Sequence, residues 1–262
     1  MAKKKKSEVM KVGDQLPAYM RDEPRGDETI GQYVIPPRLK IVQRVASDEL
    51  LAIFSAGDVI IVPNNLAVAV GTDEAPASFR FVPLFFFPEW CTWSPIELRG
   101  QENTILARSL DPTSDIAQKA KNPGLRSEQH PRNPNLFIKH AEHLNFIISL
   151  RDHDLAGEPI VMSFVRAEHQ SGSRLCSLIK MRKAPIYGCV FEATVGKRSN
   201  AKGQWHGLNL SNPANNQWVP EEEFAAAKAV HLDFVKLHEE SRVRVAYETP
   251  PNEDDGGKDS EF

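Results

Sequence analysis

The stretch from Ile186 to Leu210, IYGCVFEATVGKRSNAKGQWHGLNL, decides the fold. Ile186 to Thr194 follows Pro185 and is rich in aromatic and β-favouring residues, so it reads as a strand. Val195 to Gly203 forms a turn region whose tip carries Lys197, Arg198 and Lys202, and Gln204 to Leu210 returns from it. The unit reads as a β-hairpin with a basic tip. Upstream, Ser173 to Arg182 sets Leu175, Leu178 and Ile179 on one helical face. Asn145 to Leu150 and Ile160 to Phe164 are strands joined by a polar turn containing Gly157. Downstream, Pro220-Glu221-Glu222-Glu223 opens a helix. Proline fits its first turn and the acids complement its dipole, with Phe224, Ala227, His231, Phe234 and His238 on one face.

The first half is also β in character. Tyr33 to Ile35 and Leu39 to Val42 are extended runs around Pro36-Pro37. Asp58 to Val62 is a strand stopped by Pro63-Asn64-Asn65. Phe79 to Phe87, FRFVPLFFF, contains Pro83 and reads as an edge or bulged strand rather than a central one. Leu98 to Asn135 reads as a long polar loop with one helical turn over Asp115 to Lys121. The expectation is a mainly β domain over 31–246 with two or more helices and a long loop at 98–135. A flexible segment, 1–30, precedes it, and a disordered acidic tail, 247–262, follows.

At 262 residues, 41% of them hydrophobic, the chain has enough apolar surface for a substantial core. No apolar run approaches the roughly 20 residues of a membrane span, and no apolar stretch follows Lys3 to Lys6 to make a secretory signal. Three scattered cysteines, Cys91, Cys176 and Cys189, suit a reducing cytoplasm. The net charge of -3 conceals a separation: Glu248 to Phe262 holds six acids against Lys258, a net of -5. Arg166 to Trp205 holds eight cations against Glu168 and Glu192, a net of +6.

Phosphate-loop, dinucleotide, zinc-protease and nucleophile-elbow motifs are all absent from the sequence, and neither catalysis nor a cofactor is expected. Asp152-His153-Asp154 could ligate a metal, although Asp and His are ordinary turn residues. His140 and His143 would share a face on a helix, with Cys91 as a third ligand, but these positions lack the close-set pairs of a zinc site. Cys176 and Cys189 read as small buried side chains.

What remains is basic and aromatic interleaving. Single-stranded nucleic acid needs cations for its phosphates and rings on which its bases stack. Arg174, Lys180, Arg182, Lys183, Lys197, Arg198 and Lys202 are candidates for the first role, Tyr187 and Trp205 for the second. Arg38, Lys40, Arg80 and Trp93 are candidates from the first half. The tail ends Asp259-Ser260-Glu261-Phe262; its ring and carboxylates could dock on a partner or compete for a basic groove.

An acidic, Phe-terminated tail after a basic β domain resembles the single-stranded DNA-binding proteins of phage replication, with Asp254, Asp255, Asp259, Glu261 and Phe262 carrying the likeness. The resemblance implies an OB-fold-like barrel that coats single-stranded DNA in replication or recombination within the host cytoplasm. It also implies a tail that recruits a polymerase, helicase or primase. Homo-oligomerisation is compatible with it. RNA in place of DNA, a phage structural or assembly protein, and a metal-dependent nuclease using Asp152, His153 and Asp154 remain as alternatives.

Overall fold

A computed structural model describes residues 35–72, 74–98, 101–200, 203–245 and 247. The segment 1–30, Tyr33-Val34, Lys202 and the tail from Glu248 to Phe262 lie outside these residues. Among the described residues there are ten strands: β1 (Arg38–Ile41), β2 (Val59–Val62), β3 (Leu66–Ala69), β4 (Ser78–Trp93), β5 (Ile105–Ser109), β6 (Ser127–His130), β7 (Asn133–Leu150), β8 (Ile160–Val165), β9 (Phe191–Asn200) and β10 (Gly203–Ser211). There are also four α-helices: α1 (Asp48–Ile53), α2 (Asp115–Lys121), α3 (His169–Arg182) and α4 (Glu221–Glu239). No helix among these residues is long and apolar enough to cross a membrane.

The basic hairpin is formed by β9 and β10, paired antiparallel from Glu192↔Ser211 to Asn200↔Gly203. Its strand starts at Phe191, later than the sequence suggests, because Ile186–Gly188 after Pro185 coil into a 3₁₀ turn. One sheet holds all ten strands. Its main path runs β10-β9-β4-β7-β8-β1-β2-β3, with β5 also on β4 and β6 also on β7. Every pairing is antiparallel except that of β1 with β8. Within the path, β9-β4-β7-β8 is a Greek key: three strands in a meander, then a fourth that returns through α3 beside the first.

The expected barrel is not closed. Among the described residues the path ends at β10 on one side and β3 on the other, and no ladder joins them. The sheet nevertheless curls until β10 meets the chain just after β1. There the side-chain amide of Gln43 pairs with the backbone of His206: Nε2 donates to the carbonyl at 2.9 Å, and the N–H donates to Oε1 at 2.9 Å. Two residues on, the Leu208 N–H donates to Glu168 Oε2 (3.1 Å), and its carbonyl accepts from Ser171 Oγ (2.9 Å) and Arg198 (2.8 Å). Side chains thus occupy the edge that a closing strand would take.

Curling separates two cores. The inner face packs Phe81, Phe146, Phe164, Phe191, Leu175 and Leu208. The outer face packs Val82, Phe85, Phe87 and Ile147 under α4 and the segment Val243 to Tyr247. Tyr247, grouped with the tail on composition, is only 3% exposed and belongs to this core.

The bulge expected in FRFVPLFFF is present, at Pro83/Phe85, but the segment lies within β4, a central strand rather than an edge. Its position is tolerated because β4 pairs β9 only over Ser78–Phe81 and β5 only from Trp90 to Trp93. Pro83 and Pro88 fall between, where one side of β4 carries no strand among the described residues. Helix α4 covers that gap, and His231 Nδ1 lies 2.7 Å from the Leu84 carbonyl. The span from 98 to 135 is not a loop but β5, α2 and β6. It is held by Trp90 packed on Ala117 and Ala120, and by Lys121 over the Trp90 ring. The helix expected over Asp115 to Lys121 is α2 itself.

The edge makes a direct prediction. Gln43→Ala leaves two backbone groups of buried His206 without partners, which costs about 1–3 kcal/mol. Urea unfolding should show a lower midpoint with the same slope. An unchanged midpoint would mean that water replaces the amide without loss.

Candidate nucleic-acid interface

The long strands β4 and β7 run past the curled part of the sheet, and the excursion β5–α2–β6 packs on their extension. This leaves an open cleft of about 750 Å³ between that excursion and the β9–β10 hairpin. Its floor is Lys139, His140, Ala141 and Glu142 of β7. One wall is Ala120, Arg126 and Ser127; the other is Arg166, Ala167, His169, Asn200 and Trp205.

Three cations, Arg126, Lys139 and Arg166, face a single carboxylate, Glu142. That carboxylate is matched by His169, whose Nε2 is 2.9 Å from Oε2. The hydrogen bond holds the Glu142 pKa below the usual range, against the effect of burial. Glu168 lies between Arg166 and His169 in sequence but is turned onto the β10 edge. There it accepts from Trp205 Nε1 at 3.2 Å and pairs with Arg198 at 3.4 Å. Gly207 makes room for this pair, because a Cβ there would sit 2.2 Å from Glu168 Oε1 and 2.5 Å from Arg198 Nε. The outcome is a cationic cleft with an oriented indole on its rim.

The residues singled out from sequence are distributed over several environments. Trp205 lines the cleft. Arg198 serves the edge, and Arg182 is bound to Asn212 Oδ1 (3.1 and 2.8 Å) and lies over the Phe191 and Trp218 rings. Tyr187 packs beneath α4 against Phe224 and His231, at ring separations of 5.2 and 4.9 Å. Arg80 pairs with Asp152. Arg38 lies over the Tyr247 ring at 5.9 Å, and Lys40 is half-buried on β1. Arg174, Lys180, Lys183 and Lys197 are exposed. Arg126, Lys139 and His169 were not singled out from sequence. Lys139 lies in the part of β7 that precedes Asn145, where the sequence reading places no strand.

The conceivable metal ligands are separated. His140 and His143 lie on a strand, where a spacing of three puts them on opposite faces. His153 is occupied as a turn residue, with Nε2 3.1 Å from the Ala67 carbonyl and Nδ1 accepting from Leu155 N–H (3.1 Å). Among the described residues no cluster of three or more His, Cys, Asp or Glu side chains could hold a metal. Burial pushes the thiols of Cys91, Cys176 and Cys189 up.

Behind the cleft, on the outer face, lies a buried polar group. Tyr247 O–H donates to Glu89 Oε2 at 2.7 Å, and Asn145 Nδ2 donates to the Tyr247 oxygen at 2.7 Å. Burial raises the Glu89 pKa despite these bonds and Arg108 nearby. Trp93 stacks on His143 and donates its indole N–H to Nε2 (3.2 Å). An indole can only donate, so Nε2 must keep its lone pair, and the ring is neutral.

Together these features define a Greek-key β protein with a side-chain-covered edge and a cationic, indole-bearing cleft. The family model of the Pam3 phage gp34-like protein matches residues 4–240, and the chain belongs to that family. The phage origin implied by the sequence resemblance agrees with it. No curated protein and no solved structure matches the chain.

His143 yields a pH prediction. Burial, and then Arg166, Arg38 and Arg108, push its pKa down to about 3. Between about 6.5 and 3 the unfolded chain binds this proton and the folded one does not. Stability therefore falls with falling pH in that window, by about 1.4 kcal/mol per unit from this group. Urea titrations at stepped pH should show a shallower acid dependence for His143→Gln. An identical slope would show that His143 is not held neutral.

Proposed function

We propose that this phage protein binds single-stranded DNA in the cleft between the β5–α2–β6 excursion and the β9–β10 hairpin. The observation that carries the reading is the juxtaposition of Arg126, Lys139 and Arg166 with Trp205 in an open groove. Phosphates meet the cations and bases stack on the indole, a combination that tolerates any sequence. The Greek-key order also supports it. Strands β4, β7, β8, β9 and β10 are neighbours in the sheet in Greek-key order, the order that an OB-fold reading requires. In that fold the second and third strands, with the loops joining strands one to two and four to five, take up oligonucleotides. Here those positions are the floor from β7, the excursion between β4 and β7, and the β9–β10 tip.

The acidic tail is the proposed regulator. Its attachment point, Tyr247, packs 4.5 Å from the ring of His143 on β7, the strand that also forms the cleft floor. Its acids, Asp254, Asp255, Asp259 and Glu261, with Phe262, would compete with DNA in cis and recruit replication proteins in trans.

Fluorescence anisotropy of labelled oligo-dT, titrated with salt, tests the reading. Single strands should bind better than a duplex of equal length, with affinity falling as salt rises. Arg126→Ala/Lys139→Ala should weaken binding about tenfold or more and shrink the salt slope by about 1.4, at 0.7 per contact. Equal binding by the double variant would remove the cleft from the account. Deleting Glu248 to Phe262 should tighten binding; weaker binding would contradict competition by the tail.

A further inference from the structure

We infer that a strand bound in the cleft continues along α3 to a second contact point, where a base stacks on Trp218 and Lys180 and Lys183 meet phosphates. This rests on the cleft being the primary site, and it extends the footprint to residues that the cleft does not contain.

Trp218 lies in the connection between β10 and α4, and a backbone bridge fixes it to Cys189. Despite that anchoring the residue is 53% exposed. The Arg182 guanidinium sits over one side of the ring, 5.0 Å from its centre. Arg182 is itself held by Asn212 and by the Gln217 carbonyl. A large ring that is exposed yet held in place is a ready stacking surface, because little of its freedom is left to lose on binding.

Helix α3 connects the two places. Its first residue, His169, lines the cleft, and its last, Arg182, holds Trp218. Thirteen rises of 1.5 Å separate them by about 20 Å along the helix axis. From His169 to Lys183 the sequence contains no Asp or Glu. Arg174, Lys180 and Lys183 are exposed along this stretch, and none of the ion pairs among the described residues uses them. A phosphate backbone leaving the cleft past His169 would therefore meet cations and no opposing carboxylate on the helix before it reached the indole.

Anisotropy with labelled dT strands of about 4 to 16 nucleotides, the range of site sizes for such folds, tests this. Wild-type protein should gain affinity when the strand becomes long enough to reach Trp218. Trp218→Ala should bind the short strands normally and lose that gain, about fivefold or more for one stacked base. Trp218→Phe should keep most of it. Lys180→Glu/Lys183→Glu should lower the salt slope for long strands by about 1.4 and leave short ones unchanged. Thermal melting of each variant should match wild type, separating stacking from folding. If Trp218→Ala binds the longest strand as tightly as wild type while the cleft variants do not, the second contact is overturned and the cleft stands. If no strand of any length binds wild type, the cleft reading itself fails and takes this one with it.

Discussion

The outer edge of β10 is the constraint on which the rest of the structure turns. A Greek-key set that stops short of closure leaves a row of backbone donors and acceptors facing outward, and buried groups of that kind cannot go unpaired. Here Gln43, Glu168, Ser171 and Arg198 supply the partners, at His206 and Leu208. The arrangement lets β1 lie beside β8, so the β1-β2-β3 meander extends the sheet instead of closing it. It also explains a glycine: Gly207 is bare because the Glu168–Arg198 pair lies across it.

The same edge shapes the cleft. Glu168 would otherwise add a second carboxylate between Arg166 and His169; drawn onto β10, it instead orients the Trp205 indole. The remaining acid, Glu142, is hydrogen-bonded to His169 and outnumbered by Arg126, Lys139 and Arg166, so the cleft stays cationic. Its depth comes from strand length. β4 and β7, of 16 and 18 residues, outrun the curled region, and α2 seats Ala117 and Ala120 on Trp90 at their far end. The excursion and the hairpin are then set apart as two walls over one floor.

Much of the fold was legible in local chemistry. Pro220 with three following acids marked α4 at its true start, and the hairpin itself was legible, but the turn read over Val195 to Gly203 lies further on: β9 runs to Asn200 and β10 starts at Gly203, so Lys197 and Arg198 are strand residues. What the sequence concealed depended on contacts between distant segments. The polar stretch after Leu98 looks like a loop because its strands β5 and β6 lie on the outer sides of β4 and β7, and only a few side chains are buried. FRFVPLFFF looks like an edge because nothing local reveals that α4 covers the strandless side of β4. Charge counting found the basic region but could not distinguish Arg198 and Arg182, spent on Glu168 and Asn212, from cations that face solvent. Nor could it find Lys139 and Arg126, which enter the cleft from outside the window of high charge.

Cross-linking tests the central claim most directly, because it reports position rather than affinity. A single strand carrying bromodeoxyuridine, irradiated with the full-length protein and followed by peptide mapping, should place adducts on Trp205 and on the β7 segment from Lys139 to Glu142. Adducts confined to the outer face of α4, or the same yield with a duplex, would contradict the account.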